Sequence, residues 1–393
     1  MTGSILQELD RVHALLREGR AGEAVPLLEA LLVRCPDSLD AWYALGQAHG
    51  MLERHAAAEQ AFRGAARLRP DMHEAHFNVG LSLMYQNKLR ECVESFVAAR
   101  RLEPDIPGLE PTLLEVLLQL LQDDHCADAG DGPRLPALSA TPLVSVVIPT
   151  RDRLPMLRDA LESVCAQTYR NWEAVVVNDG GEDISVVERS LPADARARIT
   201  SIRSPHPQGQ AGARNAGVAA AGGEIVAFLD DDDLYKPDHL AALADALRQS
   251  GAAIGYSRAE AVWERIEAGR RIVLKRGPAF PWYRYSRALL LVRNCMPIDN
   301  WAVRRECFDA CGVFDETLAC AEDWDLLLRL SARFEFHQVA QMTTEVRVRD
   351  EAVDSVSKRN RLRPTCELLY ARYGAGGHEL VELARELYLK SLA

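Results

Sequence analysis

The chain has 393 residues, 48% hydrophobic and 26% charged, with a formal net charge of −11 at pH 7. That length predicts two or three domains, each large enough to bury a core. The acidic balance argues against a nucleic-acid-binding surface as the main business, since phosphate backbones are held by cationic faces.

The first residues, MTGSILQELDRVHALLREG, mix acids with apolar positions, which a secretory signal does not. No apolar run approaches the ~20 residues that span a bilayer. The nine cysteines are scattered and include no Cys-x-x-Cys pair, so free thiols are expected rather than a zinc site or disulfide framework. A cytoplasmic protein without a transmembrane segment is the expectation.

An internal period follows. Pro36, Pro70 and Pro104 lie 34 residues apart, as do Gly46 and Gly80, Phe62 and Phe96, and Ala65 and Ala99. Each interval reads as two helices: the small residue lets them approach, the aromatic fills the seam, and the proline ends the unit. With Trp42, Leu45, Gly46, Ala58, Phe62, Ala65 and Pro70 in place, this resembles the tetratricopeptide repeat. A first unit at about 6–39 keeps Ala24, Leu28 and Pro36 but lacks the glycine, and Leu109–Leu121 reads as a capping helix. Residues 1–122 are assigned to this helical domain. The Gly-, Pro- and acid-rich 123–141 is read as a linker.

From 142 the period changes. LVSVVIPT, WEAVVVND, ARITSIRS and GEIVAFLD are apolar runs of strand length, separated by the helical segments PMLRDALESVCAQT and GQAGARNAGVAAAG. Such alternation implies a parallel sheet covered on both faces, with ligands bound outside the carboxyl ends of its strands. The first run ends in Pro149, Thr150 and Arg151, the second in Asn178 and Asp179, and the fourth in Asp230 to Asp233. Four adjacent aspartates read either as a solvated loop or as a site for a hard divalent cation that offsets their repulsion. Arg214, the one cation of GQAGARNAG, reads as an ion-pair partner or a phosphate contact. Glu322, Asp323 and Asp325 open an amphipathic helix, as acids favouring its dipole or as a poised general base.

Together, VSVVIPTRDR, VVVNDGG, GARNAG, AFLDDDDLYKPDHL, GVFDE and AEDWDL resemble the family 2 glycosyltransferases over about Leu143 to Ser357. The resemblance implies the GT-A fold: an α/β nucleotide-sugar-binding mixed sheet with flanking helices at 142–358, preceded here by the all-α repeats. A helical extension occupies 359–393. It implies inverting, metal-dependent transfer of a hexosyl or N-acetylhexosaminyl group from a nucleotide sugar, UDP-linked by preference, to a hydroxyl acceptor. Pro149, Thr150, Arg151 and Asp179 fall on the nucleoside pocket and Arg214 on a base or diphosphate contact. Asp231 falls near the ribose, Asp230 and Asp232 on the D-x-D acids that hold Mn²⁺ or Mg²⁺, and Asp323 on the catalytic base.

One departure stands out: Arg349 lies where many relatives carry a metal-ligating histidine, and an arginine holds diphosphate rather than metal. Trp282, Tyr283 and Tyr285 are candidates for an acceptor-side wall, with core packing as the alternative. The repeats are expected to recruit a protein or peptide acceptor or another partner. The alternatives are a polysaccharide- or glycolipid-building enzyme whose repeats serve only assembly, homo-oligomers included, and an inactive binding scaffold. A nucleotidyltransferase is the remaining rival.

Overall fold

The structure is a computed structural model that describes residues 2–124, 133–267, 270–279, 284–349 and 352–392. The chain divides into two compact units, Met1–Leu120 and Leu121–Ala393.

The first unit is built of consecutive helices: α1 (Thr2–Arg17), α2 (Ala21–Arg34), α3 (Leu39–Met51), α4 (His55–Leu68), α5 (His73–Tyr85), α6 (Leu89–Leu102) and α7 (Leu109–Leu121). The repeated glycines explain the pairing. A Cβ on Gly46 would stand 2.6 Å from the Phe62 ring, and one on Gly80 2.5 Å from Phe96, so α3 and α5 press directly onto the aromatics of α4 and α6. Tyr43 meets Phe62 edge-on at 5.4 Å, and Phe77 lies 5.6 Å from Phe96 in the equivalent place. In the unit that lacks the glycine, Ala24 and Leu28 are fully buried in the same core. A groove of about 680 Å³ is lined by Phe62, Asn78 and Tyr85 among others, with His55 stacked on Tyr85 at 4.6 Å.

The second unit begins with β1 (Val144–Thr150), α8 (Leu154–Cys165), β2 (Trp172–Asn178), α9 (Ser185–Ser190), α10 (Ala193–Arg196) and β3 (Ile199–Arg203). It continues with α11 (Gly209–Ala220), β4 (Ile225–Phe228), β5 (Leu234–Tyr235), α12 (His239–Ser250), β6 (Ile254–Glu267) and β7 (Arg270–Pro278). After α13 (Arg287–Leu290) come β8 (Trp301–Arg304), α14 (Cys307–Cys311), α15 (Glu322–Ser331), β9 (Phe336–Arg349), α16 (Ala352–Arg372) and α17 (Glu379–Ser391).

The strands form one sheet in the order β3-β2-β1-β4-β8-β6-β9-β5, with β7 hairpinned onto β6. The four apolar runs of the sequence are its parallel half, β3-β2-β1-β4, and every residue of β1 and β4 is buried. Beyond β4 the sheet is mixed: β8 runs antiparallel to both β4 and β6, while β9 runs parallel to β6 and antiparallel to β5. The core beneath β1 and β2 is closed by Leu157, Leu161, Leu240 and Leu247 from α8 and α12. On the other face, α11 approaches so closely that any side chain at Gly217 would collide with Val147.

The C-terminal segment holds two helices, the first beginning earlier than the expected extension, at Ala352, and running through Pro364. Trp282 and Tyr283 lie outside the described residues. Tyr285 stacks on Phe336 at 4.2 Å with the rings 10° apart, a packing contact.

Candidate active site

The carboxyl ends of β1, β2 and β4 meet at a cavity of about 280 Å³. Its wall includes Pro149, Thr150 and Arg151 from β1 and the loop after it, Asp179 from the end of β2, and Asp230, Asp231 and Asp232 beyond β4. Arg153, Gly209, Gln210 and Ala213 complete it. Arg214 and Asp323 are not in this wall.

Asp179 is buried and its two carboxylate oxygens accept from the backbone N–H groups of Gln208 (2.7 Å) and Gly209 (2.9 Å). It thereby caps the start of α11, where the helix dipole favours negative charge. Asp231 is also buried: Thr150 donates to its Oδ2 at 2.7 Å and Arg153 to its Oδ1 at 3.1 Å. Burial outweighs these bonds and pushes its carboxyl up to about 6.

Asp232 is the more exposed acid. Its Oδ2 receives Arg153 at 3.2 Å and faces Arg349 at 3.5 Å. Arg349 is aimed there by Glu264, a fully buried carboxylate directly opposite it in the β6–β9 register, which accepts its Nε at 3.2 Å and Arg347 at 2.6 Å. Arg349 is thus a cation beside the acidic loop, held by a buried acid that it shares with Arg347 and Arg271.

Asp230 turns inward. Arg214, only 2% exposed, donates to Asp230 at 2.7 Å and with its other nitrogen to Glu322. Burial opposes the charge on Arg214, but Asp230 and Glu322 more than offset it and the guanidinium stays protonated. The N–H of Asp230 donates to Asp299 at 2.6 Å. Asp299 is buried, which pushes its carboxyl up to about 7, and burial raises Asp233 in the same way.

Through Glu322 the network reaches Asp323 at the start of α15. Asp323 accepts from the Trp324 N–H and from Asn294, each at 2.8 Å. Its enclosure, and then repulsion from Glu322, raise its carboxyl to about 7. A group with that value exchanges protons near neutral pH, as a general base must. The residue before this helix, Ala321, has φ of 59°, and Asp152 at the pocket rim has φ of 56°. Both are non-glycine residues in the left-handed region, where backbone strain tends to gather around functional sites.

Among the described residues no three His, Cys, Asp or Glu side chains form a ready-made cation cage. The acids present still suit a hard ion of the Mg²⁺ type, which takes one or two carboxylates and fills its remaining positions with water and substrate phosphate. Asp232 meets both guanidinium groups through Oδ2, which leaves Oδ1 outside that pairing.

The family model for tetratricopeptide repeats matches residues 9–73, and that for glycosyl transferase family 2 matches residues 145–312. The chain is 31% identical over 196 residues to YwdF of Bacillus subtilis, an uncharacterized glycosyltransferase, covering 50% of this chain and 70% of that protein. The chain belongs to glycosyl transferase family 2. This glycosyltransferase is also 29% identical over 197 residues to WcaA of Escherichia coli, a putative colanic acid biosynthesis glycosyl transferase, covering 49% of this chain and 67% of that one. The mannosyltransferase PcManGT of Pyrobaculum calidifontis, solved with GDP-Man and Mn²⁺, shares the fold: TM-score 0.51 at 16% identity, over 77% of this chain and 84% of that one. Among the described residues, no helix of this family 2 glycosyltransferase is long and apolar enough to cross a membrane.

Several residues of the network carried no signal of their own. Arg153 sits inside the first motif, three residues past the strand end. Asn294, Asp299 and Glu264 belong to segments without a motif. Glu322 has the pattern of a helix-start acid; its burial against Arg214 depends on a partner 108 positions away.

Proposed function

We propose that the protein is an inverting, metal-dependent glycosyltransferase that moves a sugar from a nucleoside-diphosphate donor, UDP-linked by preference, to a hydroxyl acceptor. The observation that carries this is the single charged network that joins an acidic strand-end cavity to Asp323, with its carboxyl near 7. In this reading Pro149, Thr150, Arg151 and Asp179 hold the nucleoside and Asp231 reaches the ribose. Asp230 and Asp232 hold Mn²⁺ or Mg²⁺, which supplies Lewis-acid neutralisation of the leaving diphosphate. PcManGT, with its GDP-Man and Mn²⁺, supports that assignment by fold alone.

Asp323 takes the proton of the acceptor hydroxyl as its oxygen bonds to the anomeric carbon. The bond from that carbon to the diphosphate oxygen breaks on the opposite face, and the diphosphate leaves with the electron pair. Arg153 and Arg349 add positive charge at the diphosphate, and Arg214 holds Asp230 and Glu322 so that the two acids keep their places. The domain reading also stands as a proposal: repeats to residue 122, a linker over 123–141, a catalytic domain over 142–358 and a helical extension. The repeats recruit a protein or peptide acceptor or partner through their groove. The kinship with WcaA favours a second reading, in which the acceptor is a growing polysaccharide and the repeats serve assembly.

A thermal-shift screen of nucleotide sugars with and without Mn²⁺ tests the proposal. One donor should stabilise the protein only with metal, by about 2.7 kcal/mol at a hundredfold excess over Kd. Stabilisation without metal would remove the cation and leave the arginines as the diphosphate's counter-charge. Released pyrophosphate, instead of nucleoside diphosphate, would make the enzyme a nucleotidyltransferase. No turnover of any donor would leave a binding scaffold.

A further inference from the structure

The backbone from Leu290 to Met296 matches no motif, yet it supplies the one side chain outside α15 that holds the Asp323 carboxylate among the described residues. Asn294 donates from Nδ2 to Asp323 Oδ2 at 2.8 Å, and its Oδ1 accepts from the N–H of Met296 at 3.0 Å. These partners settle which end of the amide is which: a carboxylate takes only an N–H, and an N–H takes only oxygen. Because Asp323 Oδ1 already accepts from the Trp324 N–H, the second bond fixes the plane of the carboxylate.

The approach to Asn294 is itself held. Three consecutive carbonyls accept a side-chain donor, each from a different helix. Trp324 Nε1 of α15 donates to Leu290 at 2.7 Å, Arg385 Nε of α17 to Leu291 at 2.7 Å, and the Tyr370 hydroxyl of α16 to Val292. The donors also pack on one another. Tyr370 meets Trp324 edge-on with centroids 6.1 Å apart, and the Arg385 guanidinium lies 4.4 Å over the Tyr370 ring. Leu290 and Val292 are fully buried, so this backbone has no water to turn to if a donor is lost.

We propose that Asn294 is the positioning residue of the general base, and that α16 and α17 hold it there through the carbonyls of Leu291 and Val292. The proposal rests on the reading of Asp323 as that base. It gives the C-terminal helices a function: they set the aim of a carboxylate that none of their described side chains bonds to.

The test measures release of nucleoside diphosphate from a mixture of UDP-glucose, UDP-N-acetylglucosamine and GDP-mannose, alongside crystal structures of the variants. Asn294→Ala should lower kcat about 10- to 100-fold, the scale of an ångström's misplacement, with the donor KM held within about twofold. In an Asp323→Asn background the same change should cost nothing further, because the two residues act as one unit. Tyr370→Phe removes a single hydroxyl and should lower kcat in the same direction by less. In crystals of Asn294→Ala the Asp323 carboxylate should turn out of its present plane. A carboxylate that keeps its place overturns the proposal, as does full kcat in Asn294→Ala beside a dead Asp323→Asn. Full activity in Asp323→Asn would sink the base assignment instead, and the crystallographic outcome would then judge Asn294 alone.

Discussion

The two units are stabilised in different ways. In the repeats, glycine faces phenylalanine, the seams are mostly apolar and each helix leans on its sequence neighbour, with Glu59 a buried carboxylate held by Lys88 and Gln86. Around the strand-end cavity the buried groups include Arg214, Asp231, Glu264, Asp299 and Glu322, and their partners come from distant parts of the chain. Apolar seams are forgiving, because their strength scales with area and adapts to volume. Buried ion pairs are not: removing one partner strands a charge away from water. The repeats are therefore a scaffold whose parts are nearly interchangeable, and the site is one whose parts are not.

That contrast is sharpest at Asp323. Asp323→Asn should reduce kcat/KM by about 10²- to 10⁴-fold, the usual worth of a general base, with little change in unfolding midpoint. The pH profile of the unsubstituted enzyme gives the sign. Below about 7 the Asp323 carboxyl holds its proton and cannot accept another, so kcat/KM should fall as pH drops and level off above. A flat profile from pH 5 to 8 would break the assignment.

Arg214→Met comes next. It leaves Asp230 and Glu322 facing each other without a cation, and should destabilise the second unit by about 3–5 kcal/mol in urea unfolding. An unchanged midpoint would mean that water reaches the pair, and the contrast between the units would lose its basis.

The smallest effect belongs to the repeats. Gly80→Ala drives a methyl against Phe96; overpacking of about 1–3 kcal/mol is partly offset by the better helix propensity of alanine. The net loss should appear in unfolding of the first unit, with nucleotide-sugar stabilisation of the second unchanged. A drop in that stabilisation would show the two units to be energetically coupled.

The sequence made the repeats plain because their packing is local: a 34-residue period puts Gly46 and Phe62 in neighbouring helices whatever else the chain does. It also made the cavity plain, since strand ends in a parallel sheet converge by topology, and Thr150, Asp179 and Asp230–Asp232 do line one wall. The support behind that wall was hidden. Glu264 and Arg349 become neighbours only through the register of β6 on β9, across 85 positions of sequence. Asn294 and Asp323 meet because three helices grip the carbonyls of an irregular segment, and backbone carbonyls leave no mark on a residue pattern. Trp324 is 1% exposed with its indole N–H committed to Leu290.

The place of β9 has a consequence for how this protein comes into being. Among the described residues it is the last strand in chain order, yet it lies inside the sheet between β6 and β5, and it carries Arg347 and Arg349. Each pair of repeat helices has its partner at hand as soon as it leaves the ribosome, and low sequence separation makes for rapid folding. The acidic half has to wait. Until β9 docks, Glu264 lacks Arg347 and Arg349 and has only Arg271 of β7, Asp232 has only Arg153, and β6 presents an open edge to any passing strand. Docking of Arg347 and Arg349 beside the acidic loop and closure of this edge of β6 are therefore one event.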